Sequence, residues 1–139
     1  AELLDATLAM DENAVAAGIG KIHEEYTSVI QYNNENSLSS VLSIAYLSSM
    51  QYYFKPIREF PAGRGFADLV FIPRKRFMDK PALVVELKWD KSVRAALDQI
   101  RDGKYPEFVA CYAGELLLVG INYNEKTKEH ECRIEKYEK

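Results

Sequence analysis

The sequence predicts a mixed α/β domain built around one sheet, with helices covering at least one of its faces. Three observations carry this. Up to Phe54 the apolar residues recur at helical spacing; after it the period shortens to that of strands, as in FADLVFI and ALVVELKW. One amphipathic helix, SVRAALDQIRDGKY, then separates those strands from two or three more. At 139 residues the chain can bury one real core and is too short for two comfortable ones, so residues 1–139 read as one domain. No internal repeat or low-complexity stretch interrupts it.

The helical half begins with ELLDATLAM and ENAVAAGIGKIHEEYTSVI. Asp11 stands between them as an N-cap, and Gly18 and Gly20 weaken the second. A third helix is predicted over NNENSLSSVLSIAYLSSMQYYF, where Leu38, Val41, Leu42, Ala45 and Tyr46 share a face and Asn33, Asn34 or Asn36 caps the start. PIREFP and FADLVFI read as two strands joined by the turn AGRG, a hairpin. PRKRFMDKP is a polar loop bracketed by Pro73 and Pro81 that leads into ALVVELKW. Ser92 caps the helix after it, with Val93, Ala96, Leu97 and Ile100 as the apolar stripe and Gly103 as the stop. EFVACYA, ELLLVGINY and, beyond the turn NEKTKE, HECRIEKYE complete the strands.

With 47% hydrophobic and 28% charged residues the composition is that of an ordinary globular domain, and no apolar run approaches the roughly 20 residues of a membrane-spanning helix. The start, AELLDATLAMDENAV, is acidic and unlike a signal peptide, so a cytoplasmic location is expected. Because helix-like sequence begins at Ala1, a piece of a longer protein is also expected. Cys111 and Cys132 lie in separate strand-like segments with no CxxC partner and read as reduced residues. The net charge of −3 excludes a generally basic nucleic-acid binder, but its distribution is uneven. Residues 55–104 hold twelve Lys and Arg against seven Asp and Glu, an excess of five cations on an otherwise acidic chain.

That basic segment also contains a conflict. ALVVELKW reads as a buried strand, yet Glu86 and Lys88, two residues apart, project to one face of it. By the same alternation Phe66, Asp68, Val70 and Ile72 share a face of the preceding strand, so each strand has one wholly apolar face and one interrupted by charge. If the two strands are neighbours, Asp68 and Glu86 converge. Paired carboxylates repel, and partly buried they are costly unless a cation sits between them. Oxygen ligands of this kind suit Mg²⁺ or Mn²⁺, and a lysine beside them can orient a water or steady charge on a phosphate. Two carboxylates and a lysine are thus the means to cleave a phosphodiester. Taken alone, E-x-K on a strand is an exposed ion pair; the succession of Gly turn, Asp strand, E-x-K strand and amphipathic helix argues for more.

GRGFADLVF, ALVVELKW and ALDQIRDGKY together resemble the PD-(D/E)XK nuclease superfamily, in particular the nuclease-like domain that follows an AAA-ATPase-like domain in many bacterial proteins. The resemblance spans roughly residues 33–122. It implies a restriction-endonuclease-like core, α-β-β-β-α-β, with a central mixed sheet flanked by helices, extra helices at the N-terminus and an added C-terminal strand. It also implies roles. Asp68 and Glu86 would ligate a divalent metal with the backbone carbonyl of Leu87, and Lys88 would position or activate the attacking water. The family's helical glutamate maps to Glu35, with Glu24 and Glu25 as weaker substitutes, and Gln99 matches the polar residue on the helix after the E-x-K strand. Ala67 replaces the proline of the family's name, which leaves the metal ligand in place.

The activity so implied is metal-dependent hydrolysis of DNA. The alternative is a non-catalytic nucleic-acid or protein interaction module that regulates an attached or partner AAA-type ATPase; a homodimer that cuts both strands is a further alternative. Arg64, Arg74, Lys75, Arg76, Lys91, Arg94 and Arg101 are the candidate contacts to nucleic acid, with Arg94 and Arg101 on one shoulder of their helix. No motif for base readout accompanies them. Tyr46, Tyr52, Tyr53 and Tyr105 offer rings for stacking, although tyrosines at such spacings more often belong to a core. His23 and His130 are isolated.

Overall fold

The computed structural model describes residues 2–26, 51–54, 57–62, 65–77, 79–89, 91–102 and 115–137. Most of the predicted third helix, the strand EFVACYA and Cys111 lie outside the described residues. Within them the order is helix α1 (Glu2–Leu8), helix α2 (Glu12–Tyr26), strands β1 (Ile57–Ala62), β2 (Gly65–Phe71) and β3 (Ala82–Trp89), helix α3 (Val93–Asp102), and strands β4 (Leu116–Asn124) and β5 (Glu129–Lys136). The strands form one five-stranded sheet in the order β1-β2-β3-β4-β5. Only β3 and β4 pair in parallel; every other neighbour is antiparallel. A parallel pair needs a crossover, and α3 lies within it. This is the mixed sheet with helices that the sequence predicts.

The two faces are covered by different elements. Leu83, Val85 and Leu87 of β3, with Leu69, Phe71, Val119, Ile121 and Tyr123, pack against Leu3, Leu4, Val15 and Ile19 of α1 and α2. On the opposite face Val70, Ala82, Val84, Leu116 and Leu118 pack against Leu97 of α3. A near-continuous apolar run is what a strand buried on both faces requires, and the β4 run is buried from Leu116 to Tyr123. Both caps read from the sequence are made: Asp11 Oδ1 accepts the N–H of Ala14 at 3.2 Å, and Ser92 Oγ accepts that of Ala95 at 3.0 Å.

At the end of the third predicted helix the structure departs from the expectation. Tyr53 forms a β-bridge with Pro73 instead of a last helical turn. Its buried hydroxyl donates to the Pro81 carbonyl at 2.7 Å, and its ring meets Phe71 edge-on at 6.2 Å. Burial and the nearby Asp79 charge hold that hydroxyl well above the usual tyrosine range. Tyr53 is therefore a core residue, as tyrosines at such spacings more often are, and has no ring face for a base.

The outer edge of the sheet is closed from α2: Glu12 Oε2 accepts the backbone N–H of Ile134 on β5 at 2.8 Å. Beside it Cys132 is a half-buried free thiol, pushed up to about 12 first by burial and then by the Glu12 charge. The unfolded thiol, near 9.0, ionises first, so the stability this residue contributes is whole below pH 9 and is lost as pH rises towards 12. The loss approaches about 1.4 kcal/mol per pH unit. Urea midpoints measured at about pH 8 and about pH 10.5 should fall, and Cys132→Ser should make the fall shallower; equal falls would refute the assignment.

Candidate active site

Glu86 is 2% exposed although it carries a carboxylate. It lies on the α3 side of β3, the central strand, on the same face as Ala82 and Val84. The β2–β3 ladder pairs Phe71 with Leu83, Val70 with Val84 and Leu69 with Val85, so one further step brings residue 68 level with residue 86. Opposed residues of an antiparallel pair share a face. The strands are neighbours, which is the condition on which the expected convergence of Asp68 and Glu86 rests, and the register puts their backbone positions level. Lys88 is half-buried two residues along the same face, and Leu87 between them points into the opposite core.

On the other flank β4 supplies two residues that the motifs did not single out. Gly120 is level with Glu86, and Asn122 with Lys88. A Cβ on Gly120 would lie 3.0 Å from the Val93 carbonyl oxygen and 3.2 Å from both Ala96 and Leu97, so the absence of a side chain lets the first turns of α3 rest on the sheet beside Glu86. Asn122, 3% exposed, accepts the Lys91 N–H through Oδ1 at 3.0 Å. A backbone N–H can only donate, which fixes the amide's orientation and ties the β3–α3 corner to β4. The signals for both were present in sequence, as a Gly and then an Asn inside the apolar run LLLVGINY.

A family model of the PD-(D/E)XK nuclease superfamily matches residues 33–132, a span that contains Asp68, Glu86, Lys88 and Gln99 in that order. The chain belongs to the PD-(D/E)XK nuclease superfamily. No curated protein matches the chain. The mixed sheet and the crossing helix are consistent with the restriction-endonuclease-like fold of that superfamily.

PD-(D/E)XK nucleases generally use divalent metals. The residues of this chain fit such an ion in kind: a carboxylate withdrawn from water, level with a second acidic position, is the environment that a hard cation relieves. Among the described residues no three His, Cys, Asp or Glu side chains form a group that could hold a metal. The expected helical ligand, Glu35, lies outside the described residues, and of Asp68 and Gln99 the structure describes the backbone position in β2 and α3.

The candidate cationic contacts do not form one cluster. Lys91 and Arg94 sit at the β3–α3 corner, the end of β3 that carries Lys88. Arg94 reaches Glu135 of β5 at 3.5 Å, an exposed pair of small energetic weight. Arg101 follows on α3, and Arg64 lies outside the described residues. Arg74, Lys75 and Arg76 belong to the β2–β3 connection, where Lys75–Phe77 form a 3-10 turn. That connection enters β3 at Ala82, four residues or roughly 13 Å before Glu86. These three cations therefore stand at the other end of the strand from the carboxylates.

Proposed function

We propose that this domain is a divalent-metal-dependent nuclease that hydrolyses DNA phosphodiester bonds. The observation that carries the reading is Glu86, a carboxylate buried to 2% exposure, level with Asp68 and followed on its own face by Lys88. Asp68, Glu86, the Leu87 carbonyl and Glu35 would hold Mg²⁺ or Mn²⁺, and such an ion supplies Lewis-acid neutralisation of charge on the phosphate. Lys88 positions or activates the attacking water, a role that its place two residues from the buried carboxylate on the same face supports. Gln99 contributes a polar contact from α3. Lys91, Arg94 and Arg101, with Arg64, hold the phosphates that flank the scissile one.

The exposed Arg94–Glu135 pair supports this, since a weak surface pair is readily exchanged for a phosphate. The reading carries with it an AAA-type ATPase, in cis or in trans, as the proposed protein partner, a homodimer as the proposed arrangement by which both strands of a duplex would be cut, and the cytoplasm as the proposed compartment. No helix among the described residues is long and apolar enough to cross a membrane.

The test is cleavage of labelled single- and double-stranded DNA with Mn²⁺ or Mg²⁺, run beside Asp68→Asn and an EDTA control. Metal-dependent cutting that disappears in the variant supports the reading. Absence of both cutting and metal-induced thermal stabilisation would reject it in favour of the interaction module.

A further inference from the structure

The β2–β3 connection, remote from the carboxylates, carries a second arrangement of charged and aromatic groups. Phe54 is the one large hydrophobic side chain exposed among the described residues, at 44%. The Arg74 guanidinium lies over its ring, 5.3 Å from the centroid. Beside it Tyr52 meets Phe77 edge-on at 4.9 Å, while the Lys80 ammonium lies 4.5 Å over the Tyr52 ring. Lys75 and Arg76 are exposed on the 3-10 turn. Between residues 74 and 80 there are four cations and one acid, Asp79, a local net charge of +3 on a chain of net −3.

The backbone fixes this cluster in place. Phe54 N–H donates to the Ile72 carbonyl at 2.9 Å and Arg74 N–H to the Tyr52 carbonyl at 2.8 Å, so the segment that bears Phe54 and the loop that bears the cations are laced together. Tyr52 is half-buried between Phe77 and the Lys80 ammonium, which unlike a guanidinium has no planar surface for a base, and Tyr53 is buried, so neither predicted tyrosine is the platform. The surface that remains is Phe54 with its guanidinium, flanked by Lys75 and Arg76.

We infer that this patch is a binding site for single-stranded nucleic acid, separate from the cleavage site, in which a base stacks on the Phe54–Arg74 pair while Lys75 and Arg76 hold the adjoining phosphates. Aromatic and guanidinium surfaces accept any base in a single strand, whereas the stacked bases of a duplex present no face to them. The charge complements a polyanion and little else on this acidic domain. The inference extends the nucleic-acid reading above by naming the form of the strand, and it does not depend on cleavage. The connection that bears the patch enters β3 at Ala82, roughly 13 Å along the strand from Glu86, so the patch would hold a single-stranded part of the substrate away from the bond being cut.

The experiment is fluorescence anisotropy in EDTA, which silences cleavage, with a labelled oligodeoxynucleotide and the matching duplex as probes, on the full chain. Phe54→Ala should weaken single-strand binding roughly 5- to 100-fold, the range of one lost base–aromatic stack, and leave duplex binding close to unchanged. Phe54→Tyr, which keeps a ring, should restore it. Changing Lys75 and Arg76 together to Ala should lower the slope of log affinity against log salt by about 0.7 for each phosphate no longer neutralised. Unaltered single-strand binding by Phe54→Ala, equal losses for strand and duplex, or no binding of the strand by the wild type would each overturn the proposal. A protein that binds through this patch but neither cuts nor gains thermal stability with metal would reject the nuclease reading and leave the patch standing.

Discussion

Glu86→Gln and Lys88→Ala should both abolish most DNA cleavage, yet differ in how they respond to metal. Glutamine has the volume of glutamate and keeps one carbonyl oxygen, so the buried site under α3 stays filled; what is lost is the negative charge. Without it a divalent ion would have one anionic ligand fewer in a place withdrawn from water, and the thermal stabilisation expected of the wild type in saturating Mn²⁺ should vanish. For a ligand at 100 times its Kd that stabilisation is about 2.7 kcal/mol, several degrees in Tm for a domain of this size. Lys88→Ala removes no ligand, so the metal-induced shift should persist, while the loss of the group that positions or activates the attacking water should cost roughly 10²–10⁴ in rate. Thermal melts and single-turnover cleavage on the same three proteins give the comparison. If Glu86→Gln kept the full metal shift, the carboxylate pair would not be the metal site. If Lys88→Ala cut at the wild-type rate, the lysine would be an ion-pair residue and nothing more.

The parts of this site that were legible in sequence are those that local chemistry dictates. Alternation in ALVVELKW placed Glu86 and Lys88 together, Ser92 marked the start of α3, and Asp11 that of α2, because strand period and N-capping each act over a few residues. What the sequence left conditional was pairing. Whether residues 68 and 86 come level depends on β2 and β3 being neighbours in one register, a long-range matter that local pattern does not carry and that the ladder supplies. Tyr53 went the other way: a helical pattern ran through it, and a bridge to Pro73 with a hydroxyl bond to Pro81 outweighed local propensity. Phe54 was read as the last apolar residue of that pattern, and its exposure beside Arg74 depends on a loop some twenty residues away. The separation of Arg74, Lys75 and Arg76 from the carboxylates was, by contrast, available: two antiparallel strands level at residues 68 and 86 put the connection between them at the far end.

Gly120 and Gly18 should respond in opposite ways to the same substitution, and the contrast tests how α3 is held over the site. A Cβ at position 120 meets the backbone oxygen of Val93 at 3.0 Å, with Ala96 and Leu97 at 3.2 Å on either side; backbone cannot rotate away as a side chain can. Gly120→Ala therefore has to lift the start of α3 or bend β4, an overpacking cost of about 1–3 kcal/mol and a Tm lower by roughly 4–12 °C. Position 18 on α2 is different, because the near atom there is Leu3 Cδ1 at 3.2 Å, the far end of a flexible side chain. There the alanine gains about 1 kcal/mol of helix propensity and the leucine gives way, so Gly18→Ala should be neutral or stabilising. The consequence for cleavage follows from geometry. Lifting α3 shifts the Lys91 corner bonded to Asn122 and the helix that carries Gln99, and displacements near 1 Å cost about 10²-fold in rate when reacting groups must align. Gly120→Ala measured well below its Tm should thus cut more slowly while its metal-induced shift, set by β2 and β3, is retained. A Gly120→Ala protein as stable and as active as the wild type would mean that α3 does not rest on β4 as closely as the Val93 contact requires.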